Sequence, residues 1–174
     1  DVSNLGWNYY MNEFSAAIGI EQLKKLNKFV KQRQDIANKL TIGLNGLDGL
    51  KTPYVDNDNT HAYYMYPLVL DVDKLQISRS KICHALFAEG INVSEGYQNI
   101  HLLPMFQSKI AYGSNGFPWS SDIYKGNVKY DKGICPIAEQ FHDTSLFTIG
   151  LCVYDLNDED RLTALCFKQD IEII

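Results

Sequence analysis

The sequence predicts an α+β fold: a long helical region, then a small, mainly antiparallel sheet with helices on one face. Three observations carry that prediction. Apolar residues recur at three- and four-residue steps from Leu23 to Leu47, the pattern of one buried helix face. Two segments, residues 62–72 (AYYMYPLVLDV) and 145–154 (SLFTIGLCVY), are rich in the β-branched and aromatic residues that strands favour. Between them, helix-like and strand-like stretches alternate with Gly- and Pro-bearing turns, as layered folds require.

Taken in order, Phe14, Ala17, Ile18 and Leu23 predict a short helix, with Asn12 as its N-cap; the Asn side chain accepts from a free first-turn N–H. Small residues Ala16, Ala17 and Gly19 permit close approach by another backbone. A longer helix follows, with Leu23, Leu26, Val30, Ala37, Leu40, Leu44 and Leu47 on its apolar face. Arg33 interrupts that stripe; its stem covers apolar surface while its head reaches for a partner. Gly46 and Gly49 end the helix, glycine being the residue that tolerates the left-handed stop. Residues 51–60 are a polar loop. The strand at 62–72 contains Pro67, which marks a sheet edge or a bulge. Ser78 caps a helix to Glu89 with Ile82, Leu86 and Phe87 inward, Gly90 stops it, and residues 91–94 form a short strand. Residues 96–133 hold much of the Gly, Tyr and Ser and read as a long irregular loop, the kind that carries function or is ordered by a partner. Pro136 opens a short helix at 135–141, residues 145–154 form a buried strand, and Asn157 caps a last helix whose first turn holds Asp158, Glu159 and Asp160. Those carboxylates suit the positive end of a helix dipole.

The 174 residues suffice for one domain with a real core plus a helical extension. A hydrophobic fraction of 45% and a charged fraction of 21% exclude disorder as the main state. A net charge of −5 argues against a nucleic-acid footprint, and no apolar run approaches the roughly 18 residues of a membrane span. The chain opens on Asp1 with a polar and aromatic stretch rather than a signal peptide, and is expected to be a piece of something longer. Cys83, Cys135, Cys152 and Cys166 lie far apart with no CxxC and no zinc-site spacing; reduced thiols and a cytoplasmic location are the expectation. No metal site is expected. Ser78-x-x-Lys81 has the spacing of a nucleophile motif, but it opens an amphipathic helix and reads as a cap. No phosphate-cradling glycine loop is present, and Gly113-Ser114-Asn115-Gly116 is a turn by composition.

The segment Gly6-Trp7-Asn8-Tyr9-Tyr10-Met11 through Ala16-Ala17-Ile18-Gly19 to Gln22-Leu23 is more specific. It resembles the DegT/DnrJ/EryC1/StrS family of pyridoxal-phosphate-dependent aminotransferases, whose pattern is roughly G-x-N-Y-R-M-x-x-x-x-A-A-x-G-x-x-Q-L. Leu26 and Arg33 continue the register. His61–Tyr66 is similar to the family's H-x-Y-Y-x-Y stretch, Gly90-Ile91 to its G-I, residues 97–104 (YQNIHLLP) to Y-x-P-x-H-x-x-P, and Cys135–Glu139 to C-P-x-A-E. The resemblance implies an α/β fold of the type I pyridoxal transferases. This chain would be the carboxy-terminal part, with residues 1–50 as connecting helices and residues 51–174 as the small domain. In the family, the Schiff-base lysine, the Asp that holds the pyridinium nitrogen and the stacking aromatic all precede the Gly6–Leu23 motif. No catalytic residue is therefore assigned here, and the chain alone is expected to be inactive.

What the resemblance implies for the whole enzyme is transfer of an amino group from glutamate or glutamine to a keto-sugar nucleotide, with pyridoxal 5'-phosphate as cofactor. The enzyme would be a homodimer sharing its active sites between subunits. Asn8 would reach the cofactor phosphate of the neighbouring subunit; otherwise it is a turn or cap residue. His101 and Tyr97 would lie near the sugar nucleotide, as would Tyr10. Two departures stand out. Tyr10 replaces the family's usual Arg, removing a charge that tyrosine cannot restore, and Asn99 replaces a frequent Pro. A different class of function, a non-catalytic α+β module that dimerises or binds a partner, would use the same helical stripe.

Overall fold

The structure is a computed structural model, and it describes residues 6–151. The predicted strand residues 152–154, the helix capped by Asn157, and Cys152 and Cys166 lie outside the described residues.

A single 32-residue helix, α1 (Glu13–Leu44), replaces the two helices expected from the sequence. Asn12 caps it as predicted, its side chain accepting the Ser15 N–H at 2.8 Å. Gly19 does not divide it. One interior glycine costs only about 1 kcal/mol, and the neighbouring Ala16, Ala17, Glu21, Gln22 and Leu23 are good helix formers. After Leu44 the chain turns through Gly46, whose φ of +85° explains why glycine sits there.

Among the described residues four strands follow: β1 (Leu50–Lys51), β2 (Tyr66–Leu70), β3 (Val93–Glu95) and β4 (Leu146–Ile149), all antiparallel, in the order β1-β2-β4-β3. Strand β2 is internal in this order rather than at an edge. Pro67 is tolerated because β1 ends opposite Val69, leaving that flank of β2 open beside the proline. The register places Tyr66 opposite Ile149 and Leu68 opposite Phe147, so one sheet face is apolar throughout. Against it pack Ile36, Ala37, Leu40 and Leu44 of α1, with Ile82, Cys83 and Leu86 of α3 (Arg79–Ala88). The Tyr66 hydroxyl is satisfied by Thr41 Oγ1 at 2.7 Å. Phe87, expected inside, is exposed: the inner stripe of α3 is centred on Leu86, and the next residue is turned about 100° away. Ser78 caps α3 by accepting the Lys81 N–H, which accounts for the Ser-x-x-Lys spacing structurally.

Short elements make up the rest of the regular structure among the described residues: α2 (Val72–Leu75), a 3₁₀ turn (Ile100–Leu102), α4 (Pro104–Ser108), and α5 (Pro136–Gln140), which runs into a π turn (Phe141–Ser145) leading to β4. Arg79 staples that turn to α3. It donates from Nη1 to the carbonyls of His142 (2.6 Å) and Leu146 (3.1 Å) and from Nε to Glu95. Gly96 follows β3 at φ +66°, and a Cβ there would lie 2.7 Å from the His142 carbonyl. Only glycine lets the loop leave the sheet this close to the π turn.

Candidate functional site

The alternating register of β4 turns Leu146 to the side opposite Phe147. On that side the long loop and α5 enclose a groove of about 650 Å³. Its walls are Tyr64 and Met65 before β2, Tyr97 to His101 after β3, Phe106 of α4, Tyr130, and Cys135, Ala138, Phe141 and Leu146 around α5. The lining is mostly apolar with a few polar groups, the usual make-up of a small-molecule site.

The loop 96–133 is held by two devices. Phe106, Trp119 and Tyr130 form an aromatic cluster with ring centroids 5.2–6.3 Å apart, and Trp119 Nε1 donates to the Tyr130 hydroxyl at 3.1 Å. Edge-to-face packing of this kind adds stabilisation beyond area burial. The second device is polar. His101 Nε2 lies 2.9 Å from Glu139 Oε1, and both side chains are nearly inaccessible. Glu139 also accepts the backbone N–H of Gly133 on both oxygens (2.8 and 2.7 Å) and that of Cys135 (3.1 Å). Burial pushes the Glu139 carboxyl upward, but the N–H groups of Gly133 and Cys135 and the His101 ring outweigh it and hold the carboxyl below its ordinary range. At the other end of the groove the Tyr64 hydroxyl donates to that of Tyr97 at 3.3 Å, and this bond raises the Tyr64 phenol, which is also pushed up by desolvation. Asn99 is buried in the wall, with Nδ2 lacking an acceptor.

Of the four residues expected at a site, the structure brings Tyr97 and His101 together on this groove. Asn8 and Tyr10 do not line it; they lie in the exposed stretch before α1, where Asn8 Oδ1 accepts the Tyr10 N–H at 2.9 Å in an Asx turn. Glu139 and Tyr64 lie within stretches that resemble the family's motifs, and their spacing alone assigns them no role. Phe106, Trp119 and Tyr130 carry no local sequence signal, because what unites them is the path of an irregular loop. Among the described residues no group of three or more His, Cys, Asp or Glu side chains could hold a metal ion, and no helix is long and apolar enough to cross a membrane.

The fold of this chain is shared with solved aminotransferases. The chain superposes on the aminotransferase from Psychrobacter cryohalolentis with a TM-score of 0.74 at 22% identity, covering 99% of this chain and 42% of that one. It matches the sugar aminotransferase CalS13 from Micromonospora echinospora with a TM-score of 0.70 at 18% identity, covering 97% and 38%. The fold is thus that of the small α+β part of a type I pyridoxal-dependent transferase. The model of the DegT/DnrJ/EryC1/StrS aminotransferase family matches residues 1–132, and the chain belongs to that family. Similar proteins include the spore coat polysaccharide biosynthesis protein SpsC of Bacillus subtilis strain 168, 32% identical over 126 residues (72% of this chain, 32% of SpsC). GDP-perosamine synthase of Vibrio cholerae is 28% identical over 133 residues (75% and 35%). The chain spans between 32% and 40% of the length of the first curated relatives it matches.

Proposed function

We propose that this chain is the carboxy-terminal part of a pyridoxal-phosphate-dependent aminotransferase that moves an amino group from glutamate or glutamine to a keto-sugar nucleotide, in the synthesis of a polysaccharide or an amino sugar. The observation that carries this reading is the groove, where Tyr97 and His101, two of the three residues matched to the family's substrate region, share one wall. In this reading residues 1–50 link to the rest of the enzyme and residues 51–174 form its small domain. The enzyme is cytoplasmic and works as a homodimer with active sites shared between subunits.

The residues present fit a partial role toward the cofactor. Asn8 Oδ1 is occupied by the Tyr10 N–H, which leaves the neutral Nδ2 group free to donate to a phosphate oxygen. Asn8 would hold the cofactor phosphate from across the dimer. Bound there, pyridoxal phosphate supplies an electron sink for charge on the reacting carbon. The chain's own residues orient the sugar nucleotide: Tyr97 and Tyr64 offer hydroxyls on aromatic faces, and His101 a ring nitrogen. Tyr10, which stands where the family pattern usually has Arg, meets the substrate with a neutral phenol, so a less anionic substrate group is expected at that position.

The test is amination of a panel of keto-sugar nucleotides by the chain expressed with its preceding coding sequence, with glutamate or glutamine and pyridoxal phosphate, followed by mass spectrometry. An aminated sugar nucleotide, lost on His101→Ala, is the expected result. Absence of product across the panel with both donors would overturn the reading. The chain alone, mixed with pyridoxal phosphate and borohydride, is expected to give no stoichiometric lysine adduct, because none of its lysines matches the family's Schiff-base lysine.

A further inference from the structure

The contact between His101 and Glu139 is asymmetric in a way that fixes the chemistry of the groove. Glu139 Oε1 receives the N–H groups of Gly133 and Cys135 as well as His101 Nε2, and Oε2 receives Gly133 again. A carboxylate surrounded by donors is an acceptor only. The proton in the 2.9 Å contact must then sit on Nε2 of the imidazole. In a neutral ring the other nitrogen, Nδ1, is left with a lone pair. His101 lines the groove, so the nitrogen available to an occupant is an acceptor and not a donor.

We propose that Glu139 is a positioning residue that locks His101 in the Nε2–H tautomer, so that Nδ1 accepts a hydrogen bond from a hydroxyl of the ligand held in the groove. Backbone anchoring makes the lock stiff. The carboxylate is tied to the loop at Gly133 and to the start of α5 at Cys135, and the His101 carbonyl is tied by Gln107 Nε2 at 2.8 Å. Outer groups of this kind set ring orientation and tautomer elsewhere in proteins. The tautomer follows from the geometry of this chain; that the hydroxyl belongs to a sugar rests on the aminotransferase reading.

The experiment is a long-range proton–nitrogen correlation spectrum of the histidine rings in the 174-residue chain at about pH 8.5, some two units above the ordinary imidazole value. His101 is assigned by its loss in His101→Gln. His61 is an internal reference, because its Nδ1 accepts the Tyr63 N–H at 2.8 Å and is independent of Glu139. The expected result is a pyridine-type Nδ1 and a pyrrole-type Nε2 in His101. In Glu139→Ala the acceptor facing the ring is gone. The His101 ring should then lose its single tautomer and show mixed Nδ1–H and Nε2–H character, while His61 stays unchanged. An Nδ1–H form in the wild-type chain would overturn the proposal, as would a His101 pattern indifferent to Glu139→Ala. Should that variant fail to fold, the wild-type spectrum decides alone. Because no substrate is used, failure here leaves the aminotransferase reading standing, and failure to aminate a sugar leaves the tautomer standing.

Discussion

The two ends of α1 carry the same apolar periodicity and meet opposite fates. At the carboxyl end Leu40 is 1% exposed, wedged with Ile36, Ala37 and Leu44 against the sheet. At the amino end Leu23 is 68% exposed, and Phe14, Ile18 and Leu26 are exposed with it. Periodicity reports which face of a helix is built to be covered, not what covers it. Here the sheet covers roughly one half of the stripe. The other half, with Trp7, Tyr9 and Met11 ahead of it, is left as exposed apolar surface, the kind of surface that associates.

The largest effect should separate these halves by stability. Leu40→Ala is expected to lower unfolding free energy by about 2–5 kcal/mol. Leu23→Ala should change it by no more than about 0.5 kcal/mol in the dilute chain. Urea unfolding checks both, and similar losses at the two sites would erase the distinction. Association comes next. The chain should self-associate through its uncovered half, and the pair Leu23→Asp and Leu26→Asp should weaken that by at least about tenfold, given roughly 1.5–3 kcal/mol for each apolar side chain buried. A clean monomer in sedimentation across the accessible concentration range would count against this.

Acid should act on the part of the chain packed around the sheet and groove. Glu95 is held low by the Ser80 hydroxyl and by Arg79 against a smaller effect of burial, and Glu139 by its ring of donors. Their folded-state values lie below the unfolded ones, so their contribution is full at neutral pH and is lost as pH falls through those lowered values. Stability should therefore decline on acidification below about pH 4, less so in Glu95→Gln; a rise in stability over that range would contradict the assignment. The smallest effect is chemical. Burial and the nearby Glu95 push the Cys83 thiol up to about 11, whereas Cys135 is exposed. Alkylation at neutral pH followed by peptide mass spectrometry should find Cys135 modified well before Cys83.

Much of this fold was legible because local chemistry and final environment agree. Asn12 and Ser78 cap the helices they announce, Pro136 opens α5, and the alternation around Tyr66, Leu68 and Leu70 is the buried face of β2. The misses have a common cause. Whether α1 breaks at Gly19, or Phe87 turns inward, depends on how well neighbouring residues carry the helix and where the sheet lies, and neither is local. At the groove, motif spacing selected Tyr97 and His101, which line it. It gave Glu139 no role because its partner is 38 residues away in sequence, across a loop whose path only the fold defines. The motif match also selected Asn8 and Tyr10, which lie apart from the groove within this chain.

Amide hydrogen exchange along α1, read residue by residue at a concentration where the chain is monomeric, tests the contrast most directly. Residues 36–44 should exchange only through global unfolding, while residues 16–28 should open by local fraying and exchange orders of magnitude faster. Uniform protection along the whole helix in the monomer would contradict the account, since it would mean that the amino half needs no covering surface to be as stable as the half packed on the sheet.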